Sequence, residues 1–333
     1  MSILNGTTAA PLFVGMYLMQ GLGCLLATCQ TTTTDSSSKN KKNKNKKSSS
    51  DICFVSLLQS INMSFGSIIV ATAIAGLSML YLNWNVQLAL GLAQSFTCIT
   101  QLINIVMYNG RKSSQGAVKS IMSDKEVNSE WMSLLLTALP AYACLTNQGH
   151  ALDWTRIVAA SWFWNGLQNI LDPSKGIASF AENRGFIDAS TSWIITSPST
   201  TSSSKSSSSL LPTTSKEQQK QQSHHRHVLT MFSTLSLWQL NYSTVMFCLA
   251  QGLCPSKAIG CGSIFGFLQL LSSLSIVHTI ENEDMECLRD LESNDTNNCD
   301  DDATVDLTNN VPSSVYDAFA LILAAMLFIM LFL

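Results

Sequence analysis

The chain has 333 residues and a net charge of −3, with 46% of residues hydrophobic and 12% charged. That charged fraction is about half of the globular norm, and the charges collect in a few blocks separated by long uncharged stretches. Ionised groups avoid hydrocarbon in this way in membrane proteins. The pattern excludes an ordinary soluble protein and predicts an all-α, multi-pass transmembrane bundle.

Eight apolar stretches are candidates for membrane spans, since a helix needs about 20 such residues to cross a bilayer. In chain order they are 11–29, a stretch within 52–82, 86–108, 131–145, 155–171, 228–253, 258–278 and 315–333. The fourth and fifth stretches are short, and the fourth contains Pro140. No basic region precedes the first, so we expect a retained span there. A cleaved signal peptide ending near Thr28 is the alternative.

Four long polar connections separate alternate spans and hold 17 of the 19 Lys and Arg residues. Composition predicts disorder in three of them, at 30–51, 195–227 and 280–312. Because basic loops face the cytosol, we expect all four connections there and both termini in a lumen or outside the cell. The Ser, Thr and Lys tracts favour a eukaryotic endomembrane or plasma membrane.

The order of spans and connections occurs twice, once in residues 1–150 and again in 151–333. Gln20-Gly21-Leu22 corresponds to Asn165-Gly166-Leu167, and Ala89-Leu90-Gly91 corresponds to Ala258-Ile259-Gly260. Each half contains four spans, so two repeats would have the same orientation in the membrane. We expect two tandem four-helix units, with eight unrelated helices as the alternative.

The stretch "RIVAASWFWNGLQNILDPSKGIASFAENRGF", residues 156–186, resembles the opening helix of DoxX-like four-helix membrane proteins. The matching elements are Arg156, Gly166-Leu167, Leu171-Asp172-Pro173, Phe180 and Gly185, whereas Asn169 stands where the family often has a basic residue. The resemblance covers roughly residues 155–330. It implies a compact helical bundle, in a family sometimes linked to redox or sterol-related pathways, without assigned catalytic residues.

Polar side chains recur along one face of the third span. Gln87, Gln94 and Gln101 are seven residues apart, and Thr97 and Asn104 lie at the intervening helical offsets. The face predicts either a ligand-contacting pathway or hydrogen bonds between helices, which are worth about 0.6 kcal/mol each in membrane measurements. Hydrogen bonding between helices is favoured because no ionisable group joins the face.

A second polar group in the fifth span consists of Asn165, Gln168 and Asn169. We expect Gln239 and Asn241 of the sixth span and Gln269 of the seventh to contact it. The candidates for ligand contact or a polar pathway are Gln94, Thr97, Gln101, Asn104, Asn165, Gln168 and Asn169. In the seventh span, Gly262 and Gly266 form a GxxxG pattern that predicts close helix packing.

Metal, cofactor and nucleic-acid binding find no support in the sequence. The ten cysteines show no CxxC or zinc-like spacing. The sequence around His224, His225 and His227 has no carboxylate or thiol at a spacing typical of a metal site. Together with Lys39 to Lys47 they are interpreted as basic flanks that touch anionic headgroups, and no basic surface with stacking aromatic groups is present. We therefore expect membrane lipids and other membrane proteins as partners.

Three functions remain open at this point. The first is a non-enzymatic DoxX-like bundle that binds a small lipid-like ligand or a partner protein. The second is a transporter or channel for a small neutral solute, with a polar path between the two halves. The third is a membrane enzyme acting on lipid, which would need ionisable groups at the membrane interface. The candidate cluster for it is Asp172, Glu182 and Asp188. No GxSxG, Walker, GxGxxG or HExxH motif supports an enzyme.

Overall fold

The computed structural model describes residues 6–37, 49–114, 124–183 and 215–269, with two isolated positions, 271 and 324. In these ranges the regular elements are all helices. They are α1 (Gly6–Ser37), α2 (Ser49–Leu80), α3 (Val86–Ser114), α4 (Asp124–Leu145), α5 (Ala151–Leu171), α6 (Pro173–Asn183), α7 (Ser215–Ala250) and α8 (255–269). The prediction of an all-helical protein is confirmed for this part of the chain.

Three of the described helices are long and apolar enough to cross a membrane. The stretches are Ala9–Thr28 in α1, Val55–Leu80 in α2 and Val86–Val106 in α3, and α4 adds the shorter apolar stretch Trp131–Leu145. Large apolar side chains are also exposed on the helix surfaces, for example Ile157. These helices indicate a membrane-embedded protein. Of the predicted eighth span the structure describes one residue.

The helices pack as an alternating bundle around α2, which contacts α1, α3 and α7. Further contacts join α3 to α4, α4 to α5, and α5 to α7. Because neighbours in the chain run in opposite directions, the tight turns at 81–85, 146–150 and 251–254 lie at one end of the bundle. The described helix ends that lead into the connections at 38–48, 115–123 and 184–214 lie toward the other end.

Each tight turn contains one residue with a positive φ, which lets the chain leave its helix sharply. These residues are Asn83 (51°), Asn147 (57°) and Gly252 (86°). After α7, the amide of Leu253 donates a hydrogen bond to the carbonyl of Cys248 at 3.1 Å. That bond is part of a Schellman motif, in which a left-handed residue satisfies carbonyls at the end of a helix.

Arg156 of α5 binds the C-terminal end of α7, next to the tight turn at 251–254. Its Nε and Nη2 both donate to the carbonyl oxygen of Ala250, at 3.1 and 2.7 Å, and its Nη1 donates to Asp153 at 2.7 Å. Ala250 ends α7, where carbonyls have no partner within the helix and a cation complements the helix dipole. Arg156 therefore fastens α5 to α7 at the tight-turn end.

Helix ends differ from the sequence-based expectation in two connections. α1 continues to Ser37 and α7 begins at Ser215, so parts of 30–51 and 195–227, which were expected to be disordered, are helical. A helix that has already formed extends at much lower cost than a new one nucleates. In α7 the added residues include Lys, Glu and Gln, which are good helix formers.

α6 is a helix that the sequence analysis did not predict. Asp172 is non-helical and ends α5, as expected. Its Oδ1 also accepts a hydrogen bond from the backbone amide of Lys175 at 3.1 Å, which makes it the N-cap of α6. Pro173 occupies the first helical position, where its missing N–H costs nothing. The Asp-Pro pair thus ends one helix and starts the next.

Gly21 allows α1 and α2 to approach closely. A Cβ atom at Gly21 would lie 2.6 Å from Cγ2 of Val70, 3.0 Å from the Val70 amide nitrogen and 3.1 Å from the carbonyl oxygen of Gly66. Two of these atoms belong to the backbone, so side-chain rotation cannot relieve the contact. Close approach of this kind is a common way for helices to associate in membranes.

We expect Gly21→Ala to destabilise the protein relative to Gly23→Ala. Both changes gain the higher helix propensity of alanine, about 1 kcal/mol. Only Gly21→Ala adds the clash, and overpacking costs about 1–3 kcal/mol, because a Cβ at Gly23 would meet nothing within 4 Å. Thermal unfolding of the purified variants in one detergent measures the difference, and equal midpoints would contradict this packing.

Candidate functional site

A cavity of about 250 Å³ lies within the half of the bundle nearer the long connections. Such a volume corresponds to roughly eight water molecules at about 30 Å³ each. Its walls come from α2, α3, α4, α5, α6 and α7. Eleven of the eighteen lining residues carry a hydroxyl or an amide, and none of the eighteen is ionisable. The cavity is therefore polar but uncharged.

One wall of the cavity is formed by hydrogen-bonding side chains of α2 and α3. Ser67 and Thr100 contact each other through their hydroxyls. One turn away, Nδ2 of Asn104 donates to Oγ of Ser64 at 3.4 Å. Asn104 is 3% exposed, and its Oδ1 has no hydrogen-bond partner. Leaving a buried acceptor unpaired costs about 1–3 kcal/mol, so this oxygen is available to a ligand.

The opposite wall is partly aromatic. Trp162 of α5, Phe180 of α6 and Phe232 of α7 line it, and the rings of Phe180 and Phe232 meet edge to face at 5.6 Å. α6 lies very close to this wall, since a Cβ at Gly176 would be 2.7 Å from both Phe232 Cε1 and Asn169 Oδ1. The short helix therefore covers one side of the cavity.

Toward the tight-turn end the cavity is closed by a buried layer. The rings of Trp162 and Tyr242 meet at 5.7 Å, and the hydroxyl oxygens of Thr97 and Tyr242 lie 3.4 Å apart. Beyond them, Nε2 of Gln94 donates to Oγ1 of Thr155 at 3.2 Å, and both residues are fully buried. Asn165 and Ser179, by contrast, are exposed lining residues. The lining thus runs from exposed to closed.

Five of the seven candidate residues predicted from the sequence line this cavity: Thr97, Gln101, Asn104, Asn165 and Asn169. Gln94 lies outside the lining, in the closed layer. Gln168 is exposed on α5 and is not part of the lining. The structure therefore brings the polar groups of the third and fifth spans together, except for these two amides.

Three further amides, those of Gln239, Asn241 and Gln269, were expected to meet the polar group of the fifth span, and the structure places them in two different regions. Gln239 lines the cavity, and its Nε2 donates to the backbone carbonyl of Trp162 at 3.2 Å. Asn241 instead donates to Oη of Tyr17 at 3.4 Å, on the side of α7 that faces α1. Gln269 accepts a hydrogen bond from Nε1 of Trp238 at 3.3 Å. The last two therefore serve packing between α1, α7 and α8.

Sequence reasoning missed the small hydroxyl residues of the lining. They are Ser64, Ser67, Thr100, Ser133 and Ser179. The signal was faint, because serine and threonine are common in membrane helices, where they bond to their own backbone. Ser64 and Ser67 are three residues apart, as are Thr97 and Thr100, so each pair shares a helix face.

Of the acidic cluster considered for an enzyme, the structure describes Asp172, which is exposed and caps α6. The side chain of Glu182 and all of Asp188 lie outside the described residues, so the enzyme hypothesis stays a prediction.

No family model, no curated protein and no solved structure matches the chain. The resemblance to DoxX-like proteins accordingly stays a prediction, and the geometry of the cavity has to carry the functional argument.

We expect Gln94→Leu to change the free energy of unfolding by less than about 1 kcal/mol. The change removes one hydrogen bond, but it also removes the buried Oε1 that has no partner. Thr155 retains its bond to the carbonyl of Ala151 at 3.0 Å. Thermal unfolding with Gln168→Leu as the exposed control measures this. A much larger loss would show that the Gln94 amide has a further role.

Proposed function

We propose that this membrane protein binds a small, uncharged, hydrogen-bonding solute in the cavity and gives it a route across the membrane. The observation that carries the proposal is the chemistry of the lining, which is rich in hydroxyls and amides and has no ionisable group. A lipid-like ligand, as the DoxX-like resemblance implies, would be better matched by an apolar lining. Membrane lipids would instead contact the exposed apolar side chains on the outer helix faces.

The absence of charge in the lining restricts the solute. A charged solute that leaves water needs a counter-charge or many oriented dipoles in its site. In membrane proteins, ion and proton pathways usually contain ionisable residues. The described lining offers neutral donors and acceptors, so a neutral solute is the better match, and coupling to an ion gradient has no residue to depend on.

Transport, rather than storage of a ligand, is supported by the position of the cavity. Its walls come from both predicted halves, since α2, α3 and α4 precede residue 150 whereas α5, α6 and α7 follow it. Sites between two halves allow alternating access by rocking of one half against the other. In this conformation Thr97, Tyr242 and Trp162 close the tight-turn end, so we propose that the cavity faces the cytosol.

We also propose that the halves are tandem repeats within a bundle of eight spans, with both termini on the lumenal or extracellular side. Equivalent glycine contacts support the repeat. Gly21 faces Gly66 and Val70 of α2, four residues apart. Gly166, its proposed equivalent, faces Ser236 and Leu240 of α7, again four residues apart.

Asn165→Trp is expected to slow the passage of neutral solutes. Asn165 is an exposed lining residue, so a larger side chain there obstructs the cavity with little cost to folding. Gln168→Trp is the matched control, because Gln168 is an exposed amide of the same helix outside the lining. Stopped-flow light scattering of proteoliposomes containing the full chain measures the entry of urea and glycerol.

The unmodified protein and Gln168→Trp are expected to raise solute permeability above that of protein-free liposomes. Asn165→Trp is expected to lower the permeability most of the way back to that of the protein-free liposomes. Equal fluxes for the two variants would argue against passage through this cavity.

A further inference from the structure

We infer that the cavity selects solutes that donate hydrogen bonds, so that its substrate class is small neutral molecules with N–H or O–H groups on one edge and an apolar or aromatic face on the other. This inference rests on the proposed binding function. It follows from where the hydrogen atoms of the lining side chains are directed.

Two hydroxyls of the polar wall, those of Thr97 and Thr100, direct their hydrogens to backbone carbonyls. Oγ1 of Thr100 donates to the backbone carbonyls of Phe96 and Thr97, both at 3.0 Å. A hydroxyl has one hydrogen, so with the Thr100 hydrogen on its own backbone, Ser67 is the donor in the contact between the two hydroxyls. Oγ1 of Thr97 donates to the carbonyl of Ala93 at 3.1 Å. What these groups retain for a solute is lone pairs.

Three amides of the lining each use one of their two N–H donors within the protein. Nε2 of Gln239 donates to the backbone carbonyl of Trp162, and a carbonyl can only accept, which fixes the orientation of that amide. Nε2 of Gln101 donates to Oγ of Ser133 at 3.4 Å, and Nδ2 of Asn104 donates to Oγ of Ser64. Of the lining amides, Asn104 has a buried oxygen without a partner in the protein.

Asn104 is the anchor of this arrangement. It is 97% buried and lines the cavity, and its Oδ1 is a buried acceptor without a partner in the protein. A solute N–H or O–H would pair with it, whereas a solute with acceptors alone would leave Oδ1 of Asn104 unpaired. A site built around a hydrogen bond rejects an analogue that lacks the matching group far more strongly than it rejects a change in apolar bulk.

The aromatic side of the cavity determines the rest of the solute. Trp162, Phe180 and Phe232 offer ring faces and edges opposite the acceptors. A planar amide or a short aromatic alcohol would place its donors on Asn104 and its apolar part against these rings. Small neutral oxygen-lined sites also attract monovalent cations, so the test includes that outcome.

The test uses the purified full chain in detergent and two isomeric probes, 3,5-dimethylbenzamide and N,N-dimethylbenzamide. They have the same atoms, but only the first has N–H donors. Isothermal titration measures their binding to the unmodified protein, to Asn104→Leu and to the control Gln168→Leu. We expect at least tenfold tighter binding of 3,5-dimethylbenzamide by the unmodified protein and the control, and loss of most of this preference in Asn104→Leu.

The outcomes separate the inference from the proposed function. Equal binding of the two isomers overturns donor selection and leaves solute binding standing, and it does so on the unmodified protein even if Asn104→Leu does not fold. A preference that survives in folded Asn104→Leu removes Asn104 as the anchor and overturns the inference. Binding of sodium or potassium in place of either amide also overturns it. No binding of either isomer, together with no flux of urea or glycerol, contradicts the proposed function itself.

Discussion

The constraint on which this structure depends is that polar groups within a membrane bundle must find their partners inside the protein. Hydrocarbon offers no hydrogen bonds, so backbone groups are satisfied by helices and polar side chains by neighbouring helices. Here the buried hydroxyl of Thr72 bonds to the carbonyl of Ile68 in its own helix, and those of Thr97 and Tyr242 meet across helices. Where Asn104 leaves an oxygen unpaired, the bundle has also left a cavity. These two observations are the basis for the proposed binding of a hydrogen-bonding molecule.

Close packing positions that cavity. α2 lies among α1, α3 and α7, and small residues let these neighbours approach its backbone. Gly262 of α8 similarly fits against Val245 and Asn241 of α7, where a Cβ would lie 2.4 Å from Val245 Cγ2. At the tight-turn end the helices are fastened by Arg156 and by turns of positive φ. At the opposite end the cavity lining includes the exposed residues Asn165 and Ser179. The cavity is therefore closed toward the tight-turn end and exposed toward the opposite end.

Much of this arrangement could be predicted from the sequence, and the remainder has physical reasons for being hidden. Helices α1 to α5, α7 and α8 were predicted because long apolar stretches and charged connections are visible without any structure. The polar faces of Gln101 and Asn165 were likewise recognisable from their spacing. The sequence of a single helix does not show which of its faces contacts a neighbouring helix. Gln94 and Gln168 have the same side-chain chemistry as the lining amides, but tertiary packing buries Gln94 and leaves Gln168 exposed. α6 was missed because Asp172-Pro173 signals both a helix end and a helix start.

The most direct test of the account concerns the two ends of the bundle. A protease site is inserted in the long connection at 38–48 and, separately, in the tight turn at 251–254, and cleavage is measured in sealed microsomes from the cytosolic side. The account predicts that the connection is cleaved and the turn is protected, because the described helices alternate in direction and the long connections are proposed to face the cytosol. Cleavage of both sites from the same side would contradict a bundle that spans the membrane in this arrangement, and with it a transport route through the cavity.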